Sequence, residues 1–212
     1  MKETETETLA ELFPVEAVDS IASLLDEYSV QLKASRERVS KLGDFRPGRG
    51  AGLHRISVNA NLNQYEFLLV FLHELSHLIV YQSHGRSVLP HGKEWKGVYG
   101  GLIREFVKAR MFHPVLHDQL LRYSHRVMAA GVGDVSLAMA LRMFDKTENK
   151  QRWHYLEEIP EQSLFRVRSG KVFRKGKRIR KRFRCLCLNN NLSYLIHPMA
   201  HVNHTDESAF PK

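Results

Sequence analysis

Apolar residues dominate one short stretch of the chain on every side. The run Phe67–Leu72 is entirely hydrophobic, and Leu78–Val80 is hydrophobic again. Runs of this kind predict a helix that is buried nearly all round. Between them stand His73, Glu74 and His77, polar side chains that need partners when they are buried. The pattern therefore indicates a functional group inside a core helix.

Periodic apolar positions predict further elements on both sides of this helix. Alternation with a period of two predicts strands over residues 30–34 and 53–59, and a glycine-rich stretch predicts a loop over residues 43–52. We expect the strands to form a small antiparallel sheet beside the buried helix, with an edge able to accept an extended peptide. Helical spacing predicts helices over residues 8–13, 15–28, 91–111, 115–130 and 134–144.

The pattern changes from about Trp153 to short alternating runs separated by turn residues. Residues 164–168 and 171–174 predict one hairpin, and residues 179–188 and 192–196 predict a second. The chain is therefore predicted to have an α+β fold. Its predicted parts are a domain of helices and a small sheet over residues 1–150, a basic β-hairpin module over residues 151–204 and a disordered tail over residues 205–212.

Composition sets limits on the class of protein. The 212 residues are 43% hydrophobic and 26% charged, which is ordinary for a globular protein. No apolar stretch approaches the roughly 18 residues that cross a bilayer, and the acidic start Met1–Thr8 is unlike a signal peptide. Cys185 and Cys187 are too close together to make a disulfide framework. We therefore expect a cytoplasmic, intracellular protein that binds no membrane.

Positive charge is concentrated in one stretch of the predicted β module. Residues 166–184 contain eleven basic residues and no acidic one. Removing these eleven from the 32 basic residues of the chain leaves 21 against 23 acidic residues, so this stretch carries the whole positive excess. Such a run predicts a polyanionic partner, most simply DNA. The candidate nucleic-acid-binding residues are Arg166, Arg168, Lys171, Arg174, Lys175, Lys177, Arg178, Arg180, Lys181, Arg182 and Arg184.

Three phenylalanines, Phe165, Phe173 and Phe183, are interleaved with these charges. They fit a surface that stacks on single-stranded bases, and they equally fit the core of a small domain, which is the interpretation we favour.

For the basic residues of this stretch, the alternative to nucleic-acid binding is a solvated face. Eleven positive charges would repel one another in a compact hairpin, however, and bound phosphate would relieve that repulsion.

The buried helix carries the ligand pattern of a catalytic zinc site. Residues i and i+4 share a helix face, so His73 and His77 can bind one ion while Glu74 reaches a water on that ion. A catalytic zinc has about three protein ligands and one open position. Glu74 would accept the proton of that water. The alternative is a pair of hydrogen-bonded core histidines without a metal, and the candidate oxyanion donors are Arg55, Tyr81 and His84.

Two histidines compete to be the third ligand. His84 lies two turns beyond His77, roughly 10 Å along a continuous helix, which is too far for a zinc–nitrogen bond of about 2 Å. His91 follows Gly85 and Pro90, which break the helix and let the chain return. The favoured ligands are therefore His73, His77 and His91.

A second metal site is conceivable near the end of the chain. Cys185 and Cys187 would face the same side of a strand, and His197, His201 and His204 follow them. There is no Cys-x-x-Cys and no second cysteine pair. Small buried residues are therefore the favoured interpretation, and a second, structural zinc at Cys185 and Cys187 is the alternative.

Together these residues resemble the SprT-like (SprT/Spartan-type) family of zinc metalloproteases. The similarity covers roughly residues 30–112 and lies in His73–Leu78, Gly85-Arg86 and His91–Trp95, preceded by Ile56–Asn59 and Leu62-Asn63. The resemblance implies a zincin-like core with Glu74 as the catalytic residue and His73, His77 and His91 as ligands. Eukaryotic members of this family degrade proteins crosslinked to DNA, which implies a similar substrate here.

The chain departs from the family pattern at its end. Many SprT-like proteins end in a zinc ribbon with two cysteine pairs, and here a basic β module stands in its place. We predict a zinc-dependent endopeptidase that acts on DNA-associated or DNA-crosslinked proteins. The alternatives are a nucleic-acid-binding protein with a structural zinc site and no proteolytic activity, and a basic surface that binds RNA.

Overall fold

The computed structural model describes residues 3–38, 41–48, 52–127, 135–145, 153–167 and 169–205. The chain divides into two compact units, Met1–Phe144 and Asp145–Lys212, and each has a hydrophobic core of its own. The first unit contains helices and a small sheet, and the second is built from strands. The mixed α+β class is therefore confirmed. None of the helices in the described part of the chain is both long and apolar enough to span a bilayer.

The first unit is organised around one central helix. This helix, α3, is buried through its middle turns, as the hydrophobic pattern predicted. Phe13 packs edge-on against Phe67 and Phe71 of α3, with ring centroids 5.0 and 5.5 Å apart. The helices are α1 (Glu3–Leu12), α2 (Val18–Glu27), α3 (Gln64–His84), α4 (Lys93–Lys108), α5 (His117–Ser124) and α6 (Val135–Arg142), with 3-10 turns at Val15–Ala17 and Pro114–Leu116.

Three strands form a mixed sheet beside α3. They are β1 (Val30–Ser35), β2 (Gly43–Arg46) and β3 (His54–Asn59), in the order β1-β3-β2. The two predicted strands, β1 and β3, do pair, but the predicted antiparallel direction is wrong, because they run parallel. The antiparallel partner of β3 is β2, which was not predicted as a strand. After β1 the chain forms β2 at the far edge of the sheet, and β3 then lies between the two. As a result β3 is antiparallel to β2 and parallel to β1.

Several predicted boundaries differ from the observed ones. The predicted loop over residues 43–52 is wrong for Gly43–Arg46, because hydrogen bonding to β3 makes a strand of these residues. α1 begins at Glu3, upstream of the predicted start, and α5 ends at Ser124, before the predicted end. α4 begins at Lys93 because His91 adopts a left-handed backbone conformation, with a φ of 60°, that a helix does not accept. The predicted first residue of the last helix, Asp134, lies outside the described residues.

The second unit is a six-stranded antiparallel sheet in the order β4-β9-β5-β6-β7-β8. Both predicted hairpins are confirmed as the pairs β5–β6 and β7–β8. Strands β4 and β9 were not predicted, and β9 ends where the predicted tail begins; the rest of that tail lies outside the described residues. The strands are β4 (His154–Tyr155), β5 (Leu164–Val167), β6 (Val172–Ile179), β7 (Arg182–Cys187), β8 (Ser193–Ile196) and β9 (His201–Thr205).

Candidate metal centre and basic surface

Three imidazoles meet at one point beside the central helix. His73 and His77 lie one turn apart on α3, and His91 reaches them from the turn before α4. The Nε2 atom of His91 lies 3.0 Å from Nε2 of His77 and 3.1 Å from Nε2 of His73. Within the described ranges, these residues are the one group of three or more histidine, cysteine or acidic side chains placed to share an ion.

The donor set fits a zinc ion. Two nitrogens bonded to one zinc at about 2.0–2.1 Å lie about 3.3 Å apart in a tetrahedral arrangement, close to the separations seen here. Ligand imidazoles must also be neutral. Burial lowers the pKa of His73 to about 3 and the pKa of His77 to about 4, and neighbouring histidines add to both effects. Burial also lowers the pKa of His91. All three side chains are therefore ready to bind a metal at neutral pH.

Trp95 forms one wall of the histidine cluster. Its indole is fully buried, and its ring centroid lies 4.6 Å from that of His73 and 4.7 Å from that of His91. The ring stacks on His77 at 5.4 Å. Its Nε1–H donates a hydrogen bond of 3.3 Å to the backbone carbonyl of His73. Trp95 thus fixes where α3 and the turn carrying His91 meet.

Glu74 lies next to the ligands in sequence but in a different environment. Its side chain is 8% exposed. Burial raises the pKa of the Glu74 carboxyl to about 7, and the carboxylate of Asp44 adds to the rise. The positive charges of Arg38 and Lys41 and a hydrogen bond from the backbone N–H of Phe45 oppose it. A carboxyl with such a pKa can both accept and return a proton near neutral pH.

The histidines and Glu74 line one cavity of about 910 Å³. Of the three candidate oxyanion donors, Tyr81 lines this cavity, whereas Arg55 and His84 are exposed and do not. Tyr81 packs its ring against Phe45 at 5.9 Å. The cavity is otherwise mostly apolar and also includes Lys41, Leu42, Gly43, Asp44, Phe45, Val70, Val80, Gly85, Arg86, Val88, Leu89, Pro90 and Trp95.

Comparison with known proteins agrees with this geometry. The model of the SprT-like family matches residues 17–109, which include the whole histidine cluster and Glu74. Residues 17–109 are therefore a SprT-like domain. Protein SprT of Vibrio parahaemolyticus serotype O3:K6 (strain RIMD 2210633) is 48% identical over 60 aligned residues, which span 24% of this chain. The match spans 36% of that relative's length. No solved structure gives a significant match.

The SprT-like match over residues 17–109, taken with the histidine cluster inside it, indicates a zinc metalloprotease type of site. The resemblance seen in the sequence, over roughly residues 30–112, lies almost entirely within the matched region. The sequence did not reveal the surroundings of Glu74. Gly43, Asp44 and Phe45 come from a segment read as a loop, and only the pairing of β2 with β3 brings them to α3. The one feature of the sequence that could have indicated a close contact there is Gly43, the first residue of that segment.

Outside the SprT-like match, the basic stretch exposes most of its charges. Three arginines lie on one face of the sheet, which we call the arginine face: Arg174, Arg182 and Arg184. Arg174 pairs across strands with Leu186, and residues two apart in β7 point the same way, so the three side chains share that face. The exposed basic residues are Arg166, Lys171, Arg174, Lys177, Arg178, Arg180, Lys181, Arg182 and Arg184.

Lys175 is a correction to the predicted nucleic-acid surface. Its side chain is 3% exposed, because it lies on the core side of β6. Its Nζ donates hydrogen bonds to the backbone carbonyls of Ile159 at 2.6 Å and Glu157 at 3.4 Å, and it lies 4.1 Å from the ring centroid of Phe183. Lys175 therefore belongs to the core of the second unit. Arg168, also predicted, lies outside the described residues.

The interleaved aromatic rings are also internal. Phe165, Phe173 and Phe183 are at most 5% exposed and pack in the core of the second unit, which confirms the favoured interpretation over base stacking. Cys185 and Cys187 belong to the same core as free, fully buried thiols. The described residues contain no metal-binding group that includes them.

Proposed function

We propose that this chain is a zinc-dependent endopeptidase. The observation that carries the proposal is the placement of three neutral imidazoles and one buried carboxyl on a single cavity. His73, His77 and His91 would hold the zinc. A bound zinc supplies an activated water and polarises the carbonyl under attack.

Glu74 is the residue to which we assign the proton transfers. With a pKa of about 7 it is partly ionised at neutral pH, so it can take a proton from the attacking water and return it to the leaving amine. Tyr81 is the candidate hydrogen-bond donor to the oxyanion, because it lines the cavity and carries a hydroxyl. The apolar walls of the cavity limit competing water around the bound peptide.

A single substitution tests the proteolytic assignment. Glu74→Gln removes the base and leaves the three ligands in place, so we expect unchanged zinc content and loss of cleavage of basic protein substrates in the presence of DNA. A protein that carries zinc and cleaves no better than Glu74→Gln contradicts the proposal. That result would leave the alternative, a nucleic-acid-binding protein with a structural zinc.

We further propose that the substrates are proteins associated with or crosslinked to DNA, and that the second unit binds the DNA. Nine exposed basic residues within one short stretch support this. The rings that would stack on bases are buried, so the surface offers positive charge without the aromatic platform of single-strand binders. Contacts to phosphates, and therefore binding without sequence preference, are what this surface fits.

Salt dependence distinguishes the candidate polyanions. We expect the full-length protein to bind duplex DNA with an affinity that falls steeply as salt rises. Replacing Arg174, Arg182 and Arg184 by Gln should make the slope of log K against log salt shallower by up to about 2.7 for duplex DNA. Parallel titrations with single-stranded DNA and RNA show which nucleic acid is preferred. An unchanged slope in the triple variant would exclude the arginine face as the contact surface.

A further inference from the structure

Glu74 lies directly against the backbone of the edge strand β2. A Cβ atom at Gly43 would lie 2.7 Å from Cγ of Glu74 and 2.8 Å from Cγ1 of Val70, and closer still to Oε1 of Glu74. Separations below 3.0 Å are essentially never seen for a real Cβ. Any side chain at position 43 must therefore displace the Glu74 carboxyl, Val70 or the strand itself.

Space, and not backbone conformation, is the reason for a glycine at this position. Gly43 is an ordinary strand residue, whereas the described glycines with positive φ are Gly85 and Gly170. Gly97 of α4 provides a contrast, because it is exposed and a Cβ there would meet nothing within 4 Å. Gly43→Ala and Gly97→Ala are thus a matched pair of substitutions.

The backbone of Phe45 also lies near the Glu74 carboxyl, where its N–H lowers the pKa of that group. In the antiparallel register Gly43 lies opposite Val58 and Phe45 lies opposite Ile56, and both β3 residues are fully buried. Because that register is fixed by the core, β2 presents the gap at Gly43 and the N–H of Phe45 at defined positions.

The chain leading into β2 is fastened to β3 by hydrogen bonds around the buried Asn59. Oδ1 of Asn59 accepts a hydrogen bond of 2.9 Å from Nε of Arg38, and Nδ2 of Asn59 donates to the backbone carbonyls of Arg38 and Lys41 at 3.1 and 3.3 Å. The Arg38 guanidinium also donates to the carbonyl of Leu42 at 3.3 Å. These bonds hold the residues immediately before Gly43.

We propose that Gly43 is the positioning residue for Glu74, because its missing side chain makes the space that the carboxyl occupies. This inference rests on the proposed endopeptidase function. The ligand histidines are carried by α3 and by the turn before α4, so the inference assigns β2 a part in catalysis that is separate from metal binding.

The first test compares Gly43→Ala with Gly97→Ala in the full-length, zinc-loaded protein. A misplaced catalytic group costs mainly turnover. We expect Gly43→Ala to keep its zinc content and KM while kcat falls about tenfold to a hundredfold, and Gly97→Ala to match the wild type. A wild-type kcat in Gly43→Ala would overturn the inference.

A second readout does not depend on cleavage. The amide proton of Phe45 lies near the Glu74 carboxyl, so Glu74→Gln should move its resonance. Gly43→Ala should shift it in the same direction, and Gly97→Ala should not. If Glu74→Gln leaves this resonance in place, the contact does not exist and the inference fails. If the wild-type protein shows no proteolysis, the proposed function is wrong. The Phe45 resonance would still show whether Gly43 positions Glu74.

A double variant separates the two neighbours of the missing Cβ. Val70→Ala removes the Cγ1 atom that an alanine at position 43 would strike. Persistent loss of kcat in Gly43→Ala/Val70→Ala, with the Phe45 resonance still displaced, supports displacement of Glu74. Restoration of both by Val70→Ala would mean that the clash was with Val70, and the positioning role would be withdrawn.

Discussion

His91 completes the metal site from outside the helix that carries the other ligands. It lies in a left-handed turn that points its ring back toward α3. His91→Ala leaves two ligands. Loss of a residue that only supports a ligand already costs about tenfold to a hundredfold in metal affinity, so we expect zinc affinity to fall by at least that much. Metal content per chain after dialysis against a weak chelator measures this. His84→Ala is the matched control, because His84 is exposed and outside the cluster, and equal zinc loss in both variants would refute the ligand assignment.

Burial of the ligands predicts how zinc binding responds to pH. Protons compete with a metal only below the pKa of the ligand, and burial lowers the pKa of His73 to about 3 and the pKa of His77 to about 4. Three ordinary imidazoles would release roughly 2.7 protons when zinc binds near pH 5.5. Here His73 and His77 are already neutral at that pH, so fewer protons are released.

Calorimetry in buffers of different ionisation enthalpy counts those protons. The measurement is best made on Glu74→Gln, because the Glu74 carboxyl has a pKa of about 7 and would contribute a proton of its own. We expect fewer than about one proton per zinc near pH 5.5, the remainder coming from His91. A count of two or more protons would mean that burial does not keep His73 and His77 neutral at that pH.

Asn63 joins the start of the central helix to the last helix of the first unit. Its Oδ1 accepts hydrogen bonds from the backbone N–H groups of Tyr65 and Glu66, and its Nδ2 donates to the carbonyl of Leu141 at 3.1 Å. Asn63→Ala loses the helix cap, worth about 0.5–2 kcal/mol of unfolding free energy, together with the bond to Leu141. Asn63→Ser keeps an oxygen that can cap the helix and loses the bond to Leu141.

Urea unfolding of these two variants separates the contributions. We expect the midpoint to fall most for Asn63→Ala and by a smaller amount for Asn63→Ser, because a serine also caps helices well. Equal losses would show that the cap contributes little and that the link to Leu141 dominates. The zinc should be removed beforehand, since a bound metal adds stability of its own.

Elements with strong local periodicity were predictable from the sequence, and elements made by pairing were not. The hydrophobic runs around His73 and the i, i+4 spacing to His77 specify both the helix and two ligands, because the information lies within one turn. β2 was missed because residues 43–46 are typical of a loop and become a strand only through hydrogen bonds to β3. The burial of Lys175 was missed for a similar reason, since it depends on which face of β6 meets the core.

The chain separates its proposed chemistry from its positive charge. The first unit holds the ligands and the carboxyl, and the stretch that carries the excess charge lies in the second. Charge that is not part of the reacting site acts on encounter and retention of a substrate more than on bond cleavage. Changes to the arginine face should therefore affect substrates that are attached to DNA and leave small substrates unaffected.

Cleavage of two kinds of substrate tests this division of roles. With Arg174, Arg182 and Arg184 replaced by Gln, we expect cleavage of a DNA-crosslinked protein to fall about tenfold or more at physiological salt, while cleavage of a short free peptide stays at the wild-type rate. Replacing Lys33, Lys108 and Arg122, which are exposed on the first unit, by Gln removes the same net charge as a control. If both triple variants lose the same activity, net charge and not the arginine face governs the interaction. If the arginine-face variant alone also loses cleavage of the free peptide, the second unit supports the activity of the first instead of presenting DNA.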